Sequence, residues 1–135
     1  MALTANFGFT GKDVRPAVCT VSEEVGDFVY VSGAPEGTRD QVRKADPSTP
    51  DRMPAVGVVI FKSNDTRCLV QWMGETPAIF TELVSGRPYY VGPDAKAAPA
   101  PVATPSGLLA QIVGLATSPT KFYVRPESNM TRLRR

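Results

Sequence analysis

The sequence predicts an all-β protein, a small barrel or sandwich of about eight to ten short strands built from two similar three-stranded units. Three observations predict it. The phrase Gly26-Asp27-Phe28-Val29-Tyr30-Val31 is echoed by Gly86-Arg87-Pro88-Tyr89-Tyr90-Val91, an offset of 60 residues. Each phrase leads through a polar, proline-bearing connection to an apolar run holding a Val-Gly pair, Val56–Ile60 and then Ile112–Ala116, now offset by 57. A turn follows each run, then a closing strand, Thr66–Gln71 and Thr120–Arg125, offset by 54, the drift expected when only loops change length. Finally, 13 prolines and 11 glycines in 135 residues exceed the usual combined share of about 12%, and no stretch shows a sustained helical period.

The elements follow in order. Residues 1–15 show no period and read as an extended N-terminal arm, with Phe7 and Phe9 flanking Gly8. A terminal segment is tied down only by docking, and a pair of exposed phenylalanines favours docking. One β domain is expected over 16–126, containing the pseudo-repeat at about 26–71 and 86–125. Pro16–Val21 reads as its first short strand. In the next, Phe28, Tyr30 and Ser32 alternate with Val29 and Val31, the period of two of a strand. Ser32–Gly37 carries turn chemistry, and Gln41–Ala45 reads as a short charged edge strand. Asp46–Arg52 is a loop whose Asp, Ser and Thr residues suit the capping of one helical turn.

Ala55–Phe61 is the buried run, turned back at Ser63-Asn64-Asp65 into a strand where Cys68, Val70 and Trp72 alternate with Leu69 and Gln71. Residues 93–107, with four prolines among small residues, predict an extended polyproline-like loop. Leu108–Ala116 has helical propensity, but the repeat overrides it and predicts strand from about Ala110. Residues 127–135 form a tail that ends in Arg132, Arg134 and Arg135.

The formal net charge is only +2, so the overall field is weak and nucleic acid is not an expected partner. Cys19 and Cys68 match no metal spacing and read as small strand residues in a reducing compartment. No apolar run approaches the length of a membrane span, and no basic-then-apolar leader opens the chain. Synthesis in the cytoplasm is the expectation, without a membrane partner.

The sequence holds no histidine, the commonest general base and metal ligand. Glu23 and Glu24 are neighbours that a strand would point to opposite faces, and Asp65 and Asp94 are explained by turn chemistry. Gly33 and Gly37 have no helix after them to complete a phosphate cradle. No enzyme, cofactor or metal site is expected. Tyr30, Tyr89, Tyr90 and Tyr123, with Lys121 and Arg125, suit packing between the two units better than a base-stacking surface.

Several phrases resemble a family of small virion proteins of tailed bacteriophages. They are Gly26–Gly33, Val42–Asp46, Met53–Ile60, Cys68–Gln71 with Gly74-Glu75, Leu83–Gly92 and Ile112–Ala116, and the resemblance covers about residues 16–126. Such modules occur in capsid decoration (cement) proteins and also in tail or fibre components. The resemblance implies a decoration protein on the outer head surface that stabilises contacts between major capsid subunits, with a tail, fibre or spike component in host attachment as the alternative. Cement proteins of this kind commonly act as trimers, so a homotrimer bound to the major capsid protein is the implied assembly. Trp72, Phe80, Tyr89 and Tyr90 are the candidates for packing between subunits. Phe7 and Phe9 in the arm, with Arg132, Arg134 and Arg135 in the tail, are those for gripping the capsid or a neighbour.

Overall fold

The computed structural model describes residues 12–101, 109–127 and 131–132, with the backbone alone for Leu109, Thr131 and Arg132. Asp13–Val18 (β1), Phe28–Glu36 (β2), Arg39–Lys44 (β3), Gly57–Asn64 (β4) and Arg67–Glu75 (β5) come first. Pro88–Val91 (β6), Ala97–Ala98 (β7), Leu109–Ala110 (β8), Ile112–Ala116 (β9), Phe122–Val124 (β10) and Thr131–Arg132 (β11) follow. The protein is all-β: the first five strands close into a barrel in the order β1-β3-β2-β4-β5, with β5 returning to β1. Only β1 and β3 run parallel, joined through Ala17↔Asp40 and Val18↔Gln41. Register shifts in β2/β3, β4/β5 and β1/β5 supply the bends that let so few strands close.

The second sheet grows out of the barrel. The far end of β5 pairs with β10 through Gly74↔Val124 and Glu75↔Tyr123, and the order continues β10-β9-β6-β7. β8 and β11 form a separate two-stranded pair, Ala110↔Thr131 and Leu109↔Arg132.

The two units share their geometry in detail. Gly26 N donates to Val59 O at 2.8 Å, and Gly86 N donates to Ala116 O at 2.7 Å. Val59 N donates to Asp27 O at 2.9 Å, and Ala116 N to Arg87 O at 3.0 Å. Phe28 faces Val58 as Pro88 faces Leu115, and Val29 faces Gly57 as Tyr89 faces Gly114. The closing strands differ from the sequence alignment. Val58 faces Gln71 and Leu115 faces Tyr123, an offset of 52 rather than 54. A slide of two residues keeps every side chain on its own face, so hydrophobic patterning cannot detect it.

The Val-Gly pairs gain a physical reason here. A Cβ on Gly57 would lie 2.3 Å from Gln71 O, and one on Gly114 would lie 2.0 Å from Tyr123 O, with φ at +145°. In each unit the middle strand runs too close to the closing strand for any side chain at that point.

Two cores result. Ala17, Cys19, Val29, Val42, Val59, Cys68 and Val70 fill the barrel, with Trp72 packed against them. Phe28, Val58, Tyr89, Val113, Phe122 and Val124 belong to the layer joining the barrel to the second sheet. Adjacent residues Phe28/Val29 and Val58/Val59 are therefore both buried, one on each side of the barrel wall. Such two-sided burial explains continuous apolar runs where simple alternation would expose every second residue. Phe122 is central, with ring centroids 5.7 Å from Phe28, 5.5 Å from Phe80 and 5.9 Å from Tyr89.

Buried polar groups tie the layers together. The carboxylate of Asp27, wholly buried, accepts from Lys96 Nζ and from Glu24 N at 2.9 Å, with Lys44 Nζ 3.8 Å away. Glu23 accepts from Thr20 N, Thr20 Oγ1 and Lys44 N. Gln111 pairs with both backbone groups of Ala55 and donates to Glu127 O at 2.9 Å, so one side-chain amide replaces a missing strand contact.

Some expectations are corrected. Gln41–Ala45 was expected at an edge, but β3 lies between β1 and β2, because barrel closure pairs it on both sides. The first strand starts at Asp13 rather than Pro16, since Asp13 reaches across to Met73. A 3-10 turn forms at Pro50–Arg52, yet Thr49 makes no side-chain cap. Asp46 organises the loop instead, accepting from Ser48 N, Ser48 Oγ and Thr49 Oγ1. The described part of the proline-rich stretch holds a 3-10 turn, Pro93–Ala95, and β7 rather than a continuous extended loop.

Candidate interaction surface

The pseudo-repeat locates an uncovered face. In the first unit the row Phe28–Val58–Gln71 crosses β2, β4 and β5, and all three side chains are buried. The equivalent row in the second unit is Pro88–Leu115–Tyr123, across β6, β9 and β10. None of the described residues covers it: Leu115 is 41% and Tyr123 38% exposed. This row, with Ile112, Arg125 and Glu127, lines an open groove of about 690 Å³.

A smaller, more apolar cleft of about 330 Å³ adjoins it, lined by Pro54, Val56, Trp72 and Met73 among others. The segment Arg125-Pro126-Glu127 lines both. It is held in place by Arg125 N to Val113 O at 2.8 Å and Glu127 N to Ile112 O at 2.9 Å. A second apolar row lies on the barrel wall, where the register aligns Phe61, Leu69 and Pro16, and Phe61 is 54% exposed.

Of the residues singled out from the sequence, Trp72 lines the smaller cleft, half-buried at the end of the barrel with the Arg15 guanidinium 4.1 Å from its ring centroid. Arg15 is itself fixed by Asp13, Nη2 to Oδ2 at 2.9 Å. That hydrogen bond raises its pKa above the ordinary arginine value, against desolvation by burial, with help from the charges of Asp13 and Asp40. The guanidinium stays charged and lies over the indole as a cation–π contact.

Phe80 and Tyr89 do not join Trp72 at a surface. Tyr89 is only 4% exposed, its hydroxyl accepting from Val84 N at 2.9 Å, and Phe80 packs on Phe28 and Phe122. Both serve the chain's own inter-sheet core, because the second sheet must bury a face against the barrel. Tyr90 is half-buried beside Ile112 and Ala98. Phe7, Phe9, Arg134 and Arg135 lie outside the described residues, and Arg132 is described only through its backbone pairing with Leu109.

Sequence reasoning missed Pro88, Leu115 and Phe61 as surface residues, and placed Tyr123 among packing aromatics. One signal was present: the repeat makes Pro88–Leu115–Tyr123 equivalent to a buried row, while no third unit covers it among the described residues.

Among the described residues no group of three Cys, Asp or Glu side chains is arranged to hold a metal ion. No helix there is long and apolar enough to cross a membrane. The groove sets Pro88, Leu115 and Tyr123 beside one cation, Arg125, and one anion, Glu127. In comparisons with known proteins, no family model, curated protein or solved structure matches the chain.

Proposed function

We propose that this chain is a structural protein of a tailed-bacteriophage virion, a decoration protein that binds the outer head surface as a homotrimer and clamps neighbouring major capsid subunits. The observation that carries the reading is the sharing of β5 between the closed barrel and the second sheet. A pull on either half passes directly into the other along a continuous strand, with the Asp27–Lys96 pair as a second tie. Barrel closure removes free strand edges, and the rows Pro88–Leu115–Tyr123 and Phe61–Leu69–Pro16 leave apolar side chains outside. A body of this kind suits holding other proteins together, since simultaneous contacts must break together.

The alternative, a tail or fibre component reading a host glycan, calls for exposed aromatics at loop tips. Among the described residues the two most exposed aromatics, Phe61 and Tyr123, lie instead within β4 and β10, which favours the clamp. Two measurements test the proposal together: the oligomeric mass of the chain in solution, and electron microscopy of particles carrying a labelled copy. Trimeric mass with label over the head supports it. Label confined to the tail transfers the assignment to the alternative, and a monomer absent from particles defeats both.

A further inference from the structure

Cys19 and Cys68 are far apart in sequence but neighbours inside the barrel. Ala17 faces Cys68 across β1 and β5, and Cys19 N donates to Thr66 O at 3.1 Å. Cys19 therefore stands diagonally across from Cys68 on the same inward face, about 7–8 Å away in a regular pair, so a bridge draws β1 and β5 slightly together to reach the usual disulfide span. Both belong to the barrel-filling cluster, at 2% and 3% exposure, and both are free thiols. The Cys19 thiol points at Asp65 O, 3.7 Å away, beneath the exposed Asp65-Thr66 turn. Desolvation by burial pushes the Cys68 thiol up to about 12, and the neighbouring Cys19 thiol adds to the rise.

We propose that Cys19 and Cys68 form an oxidation-dependent disulfide that staples β1 to β5 and locks the barrel closed. The oxidant is a small peroxide able to reach a buried thiol as the turn opens. One thiolate attacks a peroxide oxygen, the O–O bond breaks and hydroxide leaves as water, giving a sulfenic acid. The second sulfur attacks the first, the S–O bond breaks and a second water leaves. Two thiols and one hydrogen peroxide thus give one disulfide and two waters. The high pKa of Cys68 keeps the reaction slow, so the reduced pair persists until oxidant is sustained. The cross-link ties residues distant along the chain, which restrains the unfolded state strongly. This inference is independent of the capsid reading.

The test uses the full chain, fully reduced and then exposed to dilute hydrogen peroxide. The expected product is about 2 Da lighter, still monomeric by mass on a non-reducing gel, and closed to alkylation until reduced. A digest should show one Cys19–Cys68 linked peptide, and the melting temperature should rise by roughly 5–15 °C. Mass gains of about 16 or 32 Da without a cross-link, or disulfide-linked dimers, overturn the proposal. So does a chain that stays reduced while folded and oxidises only after denaturation. Cys19→Ala should abolish the oxidant-dependent rise in melting temperature, and a rise that survives in it is equally fatal. If that variant fails to fold, the peptide map of the unmodified chain decides alone.

Discussion

Alanine at Gly114, Gly57 and Gly33 should have three very different effects, and the differences follow from backbone spacing. At Gly114 the added Cβ meets Tyr123 O at 2.0 Å, Phe122 Cε2 at 2.8 Å and Arg125 N at 3.1 Å. Relief requires β9 and β10 to separate by more than 1 Å, roughly, which is an overpacking cost of about 1–3 kcal/mol. The backbone at φ +145° adds about 1–2 kcal/mol for a residue with a side chain. Gly114→Ala should therefore lose about 2–5 kcal/mol, a large share of the roughly 5–15 kcal/mol typical of a whole domain. Gly57→Ala meets Gln71 O at 2.3 Å and Val70 Cγ1 at 2.9 Å without a left-handed backbone, and should lose only the overpacking cost of about 1–3 kcal/mol. Gly33 lies in the exposed hairpin with its nearest neighbour, Gln41 Nε2, 3.9 Å away, so its alanine variant should stay within about 0.5 kcal/mol of the parent. Urea unfolding followed by tryptophan fluorescence measures all three, Trp72 being the only tryptophan. A Gly114→Ala protein within about 1 kcal/mol of the parent would refute the claim that both units bring their middle and closing strands into this close approach.

Further outcomes follow from the polar ties and the exposed row. Lys96→Met leaves the buried Asp27 carboxylate with Lys44 as a distant partner, and should destabilise by about 1–3 kcal/mol, less than a fully buried pair because Lys96 is half-exposed. In a double-mutant cycle with Asp27→Asn the two losses should fall well short of additive; simple additivity would mean that the pair contributes nothing. The Asp46 carboxyl is held below the usual aspartate range by the Ser48 hydroxyl, then by Ser48 N, Thr49 and Arg52, against burial. A depressed folded value stabilises above the unfolded pKa of about 3.9 and fades as pH falls through the folded pKa. Asp46→Ala should thus melt lower than the parent at neutral pH and converge with it in strong acid; a gap constant across pH would contradict this. Leu115→Glu combined with Tyr123→Ala should leave the melting temperature almost unchanged, since both side chains are substantially exposed. The same variant should lose self-association or capsid binding as read by analytical ultracentrifugation and particle co-sedimentation, and full retention of both would clear the groove of any docking role.

The β character, the duplication and the Val-Gly positions were legible in the residues, because local chemistry imposes them. Gly26 and Gly86 open matched turns, Val58 and Leu115 face matched partners, and glycine at 57 and 114 is demanded by a neighbouring carbonyl. Turn residues and short-range alternation act within a few positions, so they leave a readable pattern. Tertiary structure decided what each buried face packs against. Tyr89 and Phe80 look like surface aromatics until the second sheet folds onto Phe28 and Phe122. β3 looks like an edge until β1 arrives in parallel, and Cys19 looks remote from Cys68 until β5 closes the barrel. Pairings between distant strands depend on closure and layer order, which no local pattern encodes. A two-residue slide preserves every face, so the sequence determined the repeating unit while only three-dimensional packing chose its register and which of its rows are covered.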